Sequence, residues 1–281
     1  MFADGALARR IEGAEASLSA DITAAVIRRG SVDGAFMRPI AGGLAVYTGA
    51  DSPVTKVIGS GLDGPPGAAD LDLLEGAYFA RGAAVRAEVA TLADPGMVRM
   101  LTTRGYVLNG FENVLGRRLD RLEDAPAPPD ALNIEGAPEP REWMEILLDG
   151  FEAPDTGVPS APGESFPRAA LERIFADMAE ATGFRRYVAR LHGTAAAGAG
   201  MRVFDGVAQL CGATTLPPFR RRGVQTAMLF ARLREAAASG CHVAVVTTEP
   251  GSKSQENAQR AGFAVLYARA VLIKAPPGAE A

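Results

Sequence analysis

Apolar residues recur at helical spacing over residues 4–29, where Leu7, Ile11, Ala14, Leu18, Ile22 and Ile27 share a partly apolar face and Gly30 supplies a stop. The pattern then shortens to strand-like runs. Gly34 to Tyr47, broken at Pro39 and Gly42-Gly43, and Pro53 to Ser60 read as strands. A helix is expected from about Ala69 to Ala80 and a strand over Ala83 to Leu92. A short helix follows, ending at Thr103-Arg104-Gly105-Tyr106, and then a strand over Val107 to Leu119. Past residue 130 the spacing predicts a short strand near Leu132 to Ile134 and a helix over Pro140 to Leu148, with Trp143, Ile146 and Leu147 inward. A second helix spans 167–182. Three strands follow. Phe184 to Leu191 turns at His192-Gly193-Thr194, Ala195 to Phe204 returns, and Asp205-Gly206 forms a two-residue hairpin into Val207 to Leu216. Val224, Ala227, Met228, Ala231 and Leu233 mark a helix over 223–239. Cys241 to Thr248 is an almost continuous apolar run, which suits a strand buried on both faces and parallel to the one before the helix.

Turn residues divide this pattern. Ala125-Pro126-Ala127-Pro128-Pro129 continues neither a helix nor a central strand and reads as a linker. The sequence Ala93-Asp94-Pro95-Gly96, short helix, Arg104-Gly105-Tyr106, strand has a counterpart in Thr248-Glu249-Pro250-Gly251, short helix, Ala261-Gly262-Phe263, strand. This weak internal repeat of about half the chain suggests two related domains. The expected division is a first domain at 1–120, a linker at 121–130, a second domain at 131–275 and a flexible tail at 276–281. An unrelated accessory domain is the alternative for the first half.

The densest positive charge falls where the strand ending at Leu216 meets the next helix, in Arg220-Arg221-Arg222-Gly223. A helix N-terminus offers unpaired N–H groups and partial positive charge, which a phosphate satisfies. Gly223 has no Cβ to keep an anion from the backbone, and guanidinium forks suit phosphate oxygens. A solvated basic turn is the bland alternative.

Leu216-Pro217-Pro218-Phe219-Arg220-Arg221-Arg222-Gly223-Val224-Gln225 resembles the acetyl-coenzyme A signature of the GNAT superfamily of N-acetyltransferases, commonly a strand ending in V-x-P and then [Q/R]-x-x-G-x-[G/A]. Pro217, Arg220 and Gly223 stand at matching positions, while Thr215 replaces the usual Val and Gln225 the usual small residue. Residues 251–263 are similar to the second motif of that family. Ser254, Arg260, Gly262 and Phe263 match in position or type, Gly251 stands where Asn is usual, and Ala258 stands where the frequent Tyr acid would be. Asn257 lies at helical spacing from Ser254 and is expected on the same side.

The resemblance implies a mixed α+β fold with two GNAT-like domains, each a mostly antiparallel mixed sheet flanked by helices, and only the second with a cofactor motif. It implies acetyl-CoA as the acyl donor and no metal. Backbone groups of Arg221, Arg222, Gly223, Val224, Gln225 and Thr226, with Arg220, would hold the pyrophosphate. Main chain near Thr215 and Leu216 would bond pantetheine, and Ser254 and Asn257 would face the cofactor. Transfer needs a deprotonated amine, donors for the developing oxyanion and a proton for the thiolate. Glu249, at the end of its strand, is the expected base through a water, with capping of the following turn as its alternative role. Tyr267 is the substitute acid, with a packing role as its alternative. The Gly- and Pro-rich segment 150–167 holds Glu152, Asp155 and Glu164. In this fold it would line the acceptor site, where carboxylates attract a cationic small-molecule amine.

Composition narrows this picture little. The chain has 281 residues, 48% of them hydrophobic, and a formal net charge of −4. Its length suits two domains of about 120–150 residues, and the charge argues against a nucleic-acid partner held by bulk charge. No apolar run is long enough to span a bilayer. Residues 1–31 mix Arg and Glu with alanine and lack a signal-peptide core, so a cytoplasmic, reducing location is expected, as a monomer or homodimer. Cys211 and Cys241 sit in apolar strands and read as buried structural thiols, and His192 and His242 have no partners at metal or triad spacing. The glycine-rich 59–70 stretch contains no Lys or Arg and places Asp63 and Asp70 where an anion would sit, so it reads as a turn. A noncatalytic acyl-CoA sensor and a protein-interaction module gripping an acidic partner stay open as alternatives to an N-acetyltransferase.

Overall fold

The computed structural model describes residues 1–120, 122, 125–153 and 166–278. In chain order these form α1 (Gly5–Arg29), β1 (Phe36–Ile40), β2 (Gly43–Tyr47), β3 (Lys56–Ile58), α2 (Ala68–Phe79), β4 (Val85–Ala90), α3 (Pro95–Thr103) and β5 (Val107–Arg118). There follow β6 (Leu132–Gly136), α4 (Pro140–Glu152), α5 (Arg168–Ala179), β7 (Phe184–Leu191), β8 (Thr194–Phe204) and β9 (Val207–Thr215). The chain ends with α6 (Val224–Ala238), β10 (Val243–Thr248), α7 (Lys253–Arg260) and β11 (Ala264–Lys274). Two compact units emerge, one of Phe2–Val114 with Leu266–Ala281, the other of Leu115–Val265. Residues 266–275, expected in the second domain, thus join the first unit.

In the first unit β1, β2 and β3 run antiparallel, and β3 lies parallel to β4 through Val57 and Ala87, with α2 as the crossover. The first hairpin turns at Ala41-Gly42, and Pro39 lies inside β1, whose only strand neighbour is β2. An edge position asks for no N–H on one side, which is why Pro39 does not break the strand. The chain's last strand pairs antiparallel with β4, from Arg269 opposite Ala90 to Lys274 opposite Val85.

What anchors that strand is charge. Arg269 is fully buried, its Nε donating to Glu12 Oε1 at 2.9 Å and its Nη1 lying 2.7 Å from Glu15, both on α1. Lys56 bridges Glu15 at 2.8 Å and Glu88 at 2.9 Å, and Arg86 bridges Glu88 and Glu112. Buried charges persist only when paired in this way. The apolar core beside them holds Leu71, Leu74, Tyr78, Val85, Val89, Met97 and Leu101.

The second unit repeats the plan. Strands β6 to β9 form an antiparallel meander, and β9 lies parallel to β10 with α6 between them. Small residues let helices sit close on this sheet. On α4, Trp143 is fully buried and donates Nε1–H to the Ala199 carbonyl at 2.9 Å. A Cβ on Gly198 would come within 3.1 Å of Ile146, and one on Gly150 within 2.2 Å of Thr214 Oγ1. Leu210, Met228, Phe230 and Leu233 belong to the core that holds α6. Among the described residues no helix is long and apolar enough to cross a membrane.

Candidate functional site

Two local features open a crevice at the carboxyl end of β9. Pairing with β10 covers only Val207 to Gln209 against Val243 to Val245, although β9 runs on to Thr215 and β10 to Thr248. The strands therefore part over their last residues. On its other side β9 carries a bulge, since Gly198 faces Thr214 while Gly200 faces Cys211, and Gly212 takes φ +52° to absorb the extra residue. Gly at this φ avoids the Cβ clash that other residues meet. At the parted ends, Thr215 Oγ1 and Thr248 Oγ1 are buried and have no hydrogen-bond partner among the described residues. Buried hydroxyls without partners cost about 1–3 kcal/mol each, so they mark a place where a polar ligand group fits.

Beyond Thr215 the chain makes a single 3-10 turn over Pro217–Phe219 and then reverses into α6. Arg221 at φ +59° and Gly223 at φ +76° make the reversal. Gly223 is the helix N-cap, and with no side chain it leaves the first turn uncapped. Ala227 N–H is the first to bond within the helix, to the Gly223 carbonyl, so those of Val224, Gln225 and Thr226 precede the ladder. No acidic side chain stands in this first turn. Arg221 and Arg222 are exposed beside it. The result is a helix start whose backbone N–H groups stand beside two exposed guanidinium groups, an arrangement whose charge and donors suit an anion.

Gln225, which stands where the motif usually has a small residue, is exposed. Its Oε1 accepts from Asn257 Nδ2 at 2.8 Å, which ties the start of α6 to α7. Ser254 is exposed on α7, and Ala258 is buried on the same helix. Leu216 is half-buried after β9, its N–H bonded to the Ala196 carbonyl at 2.9 Å. Glu249 follows β10 directly, half-buried, its carbonyl accepting from Ser252 N–H at 3.2 Å. Ser252, through Oγ, caps α7 by accepting from Gln255 N–H, so the cap does not depend on the Glu249 side chain.

Three expectations change. Tyr267 belongs to the first unit, is 5% exposed, and donates its hydroxyl to Glu12 at 2.7 Å. Burial and the neighbouring Glu12 charge push its pKa up, and its hydroxyl takes part in the first unit's packing network. Arg220 turns its side chain away from the helix start, with Nε donating to the Thr215 carbonyl at 3.0 Å and Nη2 to that of Ala153. Glu152 is paired at 2.6 Å with Arg168, which also meets Asp149 at 3.2 Å, so its charge is answered locally. Asp155 and Glu164 lie outside the described residues. Cys241 is buried, which raises its thiol pKa, whereas Cys211 is only half-buried. His192 sits at the β7–β8 turn with φ +49°, and among the described residues no three His, Cys, Asp or Glu gather as a metal site. Sequence reasoning missed the bulge at Gly212 and the seat of Gly150 on Thr214. The only signal for either is an isolated glycine in a strand or helix pattern.

This geometry coincides with a family. Residues 141–263 match the model of the acetyltransferase (GNAT) family. They form a GNAT acetyltransferase domain. Among solved structures, the chain is similar to a GCN5-related N-acetyltransferase from Kribbella flavida, at 19% identity over 93% of this chain and 96% of that one, with a TM-score of 0.62. A tandem GNAT protein from the clavulanic acid biosynthesis pathway aligns at 16% identity over 75% of this chain and 70% of that one, with a TM-score of 0.56. A GCN5-related N-acetyltransferase from Sphaerobacter thermophilus aligns at 17% identity over 71% and 62%, with a TM-score of 0.53. At such identities the likeness is one of fold. No curated protein matches the chain.

Proposed function

We propose that the chain moves an acetyl group from acetyl-CoA to a primary amine of a small molecule, with the donor held by the second unit. The observation that carries this reading is the uncapped start of α6 beside two strands that part. The N–H groups of Val224, Gln225 and Thr226 would take the pyrophosphate, with Arg221 and Arg222 supplying fixed charge. The main chain at Thr215 and Leu216, with the unpartnered Thr215 hydroxyl, would meet the pantetheine amides. Asn257 and Ser254 would border the same ligand from α7.

The donor contributes an activated thioester. Glu249 serves as base through a water, taking a proton from the ammonium so that the amine nitrogen can attack the carbonyl carbon as the carbon–sulfur bond breaks, and the nitrogen then gives up its second proton to solvent to become the amide. Tyr187, the one tyrosine between residues 115 and 265, is buried on β7. The sulfur therefore takes its proton from solvent, which a leaving thiolate of pKa about 8.5 allows near neutral pH. The two units share a run of antiparallel strands, a crossover helix, a parallel strand and a short helix, which supports a tandem GNAT-like arrangement. The first unit has no arginine turn.

Calorimetric titration of acetyl-CoA, CoA and ATP into the purified protein tests the reading, followed by a screen of amines for thiol release. Micromolar binding of the first two with ATP weak, and release with an amine, is the expected outcome. Absence of acetyl-CoA binding would return the arginine turn to a charged surface feature.

A further inference from the structure

Arg220 occupies a motif position but does not behave like its neighbours. Arg221 and Arg222 are exposed, whereas Arg220 is half-buried and spends two donors on two carbonyls far apart in sequence. One carbonyl ends β9 at Thr215; the other belongs to Ala153, the C-cap of α4. The same helix end already lies against the strand, because Gly150 has no Cβ and a Cβ there would fall 2.2 Å from Thr214 Oγ1. The guanidinium plane thus closes a bracket between the last turn of α4 and the strand end at the crevice.

We propose that Arg220 is a positioning residue for acetyl transfer and not a phosphate ligand. The inference rests on the acetyltransferase reading above. A carbonyl oxygen has two lone pairs. Arg220 Nε takes one at Thr215, which fixes the peptide plane and leaves the other for a ligand N–H. The second prong holds the end of α4 at a set distance from that plane. A rigid, planar fork does both at once; a lysine, with one rotating ammonium, does not.

The test compares two ligands and two variants. S-Acetylpantetheine carries the thioester and amides of acetyl-CoA but no phosphates. Arg222→Ala is expected to weaken acetyl-CoA about tenfold and to leave S-acetylpantetheine unchanged, as loss of a charged phosphate contact requires. Arg220→Ala is expected to weaken both ligands by the same factor, to lower kcat and to raise KM for the amine. Circular dichroism checks folding. Should Arg220→Ala not fold, Arg220→Gln, which keeps one planar amide donor, is expected to show the same equal weakening to a smaller degree. Weakening of acetyl-CoA alone in either Arg220 variant would make the residue a phosphate ligand and overturn the proposal, as would unchanged affinity together with unchanged kcat. If the parent protein binds neither ligand, the acetyltransferase reading itself falls.

Discussion

Replacing Gln225 by Glu places one negative charge at the open start of α6 and changes almost nothing else. The side chains are isosteric. Gln225 Oε1 accepts from Asn257 Nδ2 at 2.8 Å, and a glutamate oxygen accepts the same hydrogen, so the link between α6 and α7 is kept. The first turn of α6 now has no acidic residue. A carboxylate there complements the helix dipole and is expected to stabilise the protein by about 0.3–1 kcal/mol.

The same charge must oppose a bound pyrophosphate. Two unit charges about 4 Å apart repel by about 1 kcal/mol in water and about 4 kcal/mol at an effective dielectric of 20. At about twice that separation each figure halves, and the roughly two charges of a pyrophosphate restore it, so a loss of about 1–4 kcal/mol is expected. That corresponds to about fivefold to several hundred-fold weaker acetyl-CoA binding. Gln225 is exposed, so added salt should recover part of the loss. Urea unfolding and calorimetry read the two effects separately. A Gln225→Glu protein that is more stable and binds acetyl-CoA undiminished would refute the placing of the anion at this helix start.

The first unit offers two further tests. Arg269→Met leaves the buried Glu12 without its cationic partner, with only the Tyr267 hydroxyl donating to it, while Glu15 keeps Lys56, a cost of about 3–5 kcal/mol at pH 7. Burial already holds the Glu12 carboxyl above its usual value, and without Arg269 it rises further, so the deficit should shrink as pH falls through that folded value; a loss under about 1 kcal/mol would show that the network is not anchored by Arg269. Burial pushes the Glu75 pKa up, but hydrogen bonds from Arg104 and Lys274 outweigh it and hold the carboxyl below its usual value. A depressed carboxyl adds stability that is present above the unfolded value, about 4.3, and is lost as pH falls through the folded one. Glu75→Gln should therefore flatten the fall in urea midpoint below about pH 4.5, and a slope equal to that of the parent would count against the assignment.

The elements were legible where periodicity is long and turn chemistry explicit. The apolar spacing of α1, the Asp205-Gly206 hairpin into β9 and the continuous run of β10 each point to one local structure. The Arg-Gly turn could be placed because strand, basic turn and helix follow one another directly. Side-chain direction was less accessible. Nothing in the spelling of Arg220-Arg221-Arg222 shows that the first arginine turns back to Thr215 and Ala153 while the others face water, because that choice depends on α4, about 70 residues away. Tyr267 reads as a strand aromatic near the motif, yet its fate is decided by Glu12 at the other end of the chain. The membership of β11 escapes for the same reason: pairing of a terminal strand is a long-range event, and its one strong marker, Arg269 in an apolar strand, has meaning only once Glu12 and Glu15 are in place.

The two units carry one β-α-β plan to opposite electrostatic ends, and this bears on stoichiometry. In the first unit β3 meets β4 at Val57 and Ala87, and the chain passes through 59–67 into α2, as β9 passes through 216–223 into α6. At the start of α2, Gly67 N–H bonds to Asp70 Oδ2 at 3.3 Å, so the helix's own carboxylate occupies the place an anion would take. In the preceding loop, Asp63 is held by Arg9 at 2.5 Å, and the loop itself contributes no cation. An arriving phosphate would meet the Asp70 carboxylate at the start of α2, with the Asp63 charge already answered by Arg9, and would meet N–H groups ahead of the helix ladder with two arginines at α6. At the same repulsion per charge as above, the difference is several-fold to several hundred-fold in affinity. Titration should therefore give one acetyl-CoA per chain, and a second site of comparable affinity would contradict the contrast drawn from Asp70.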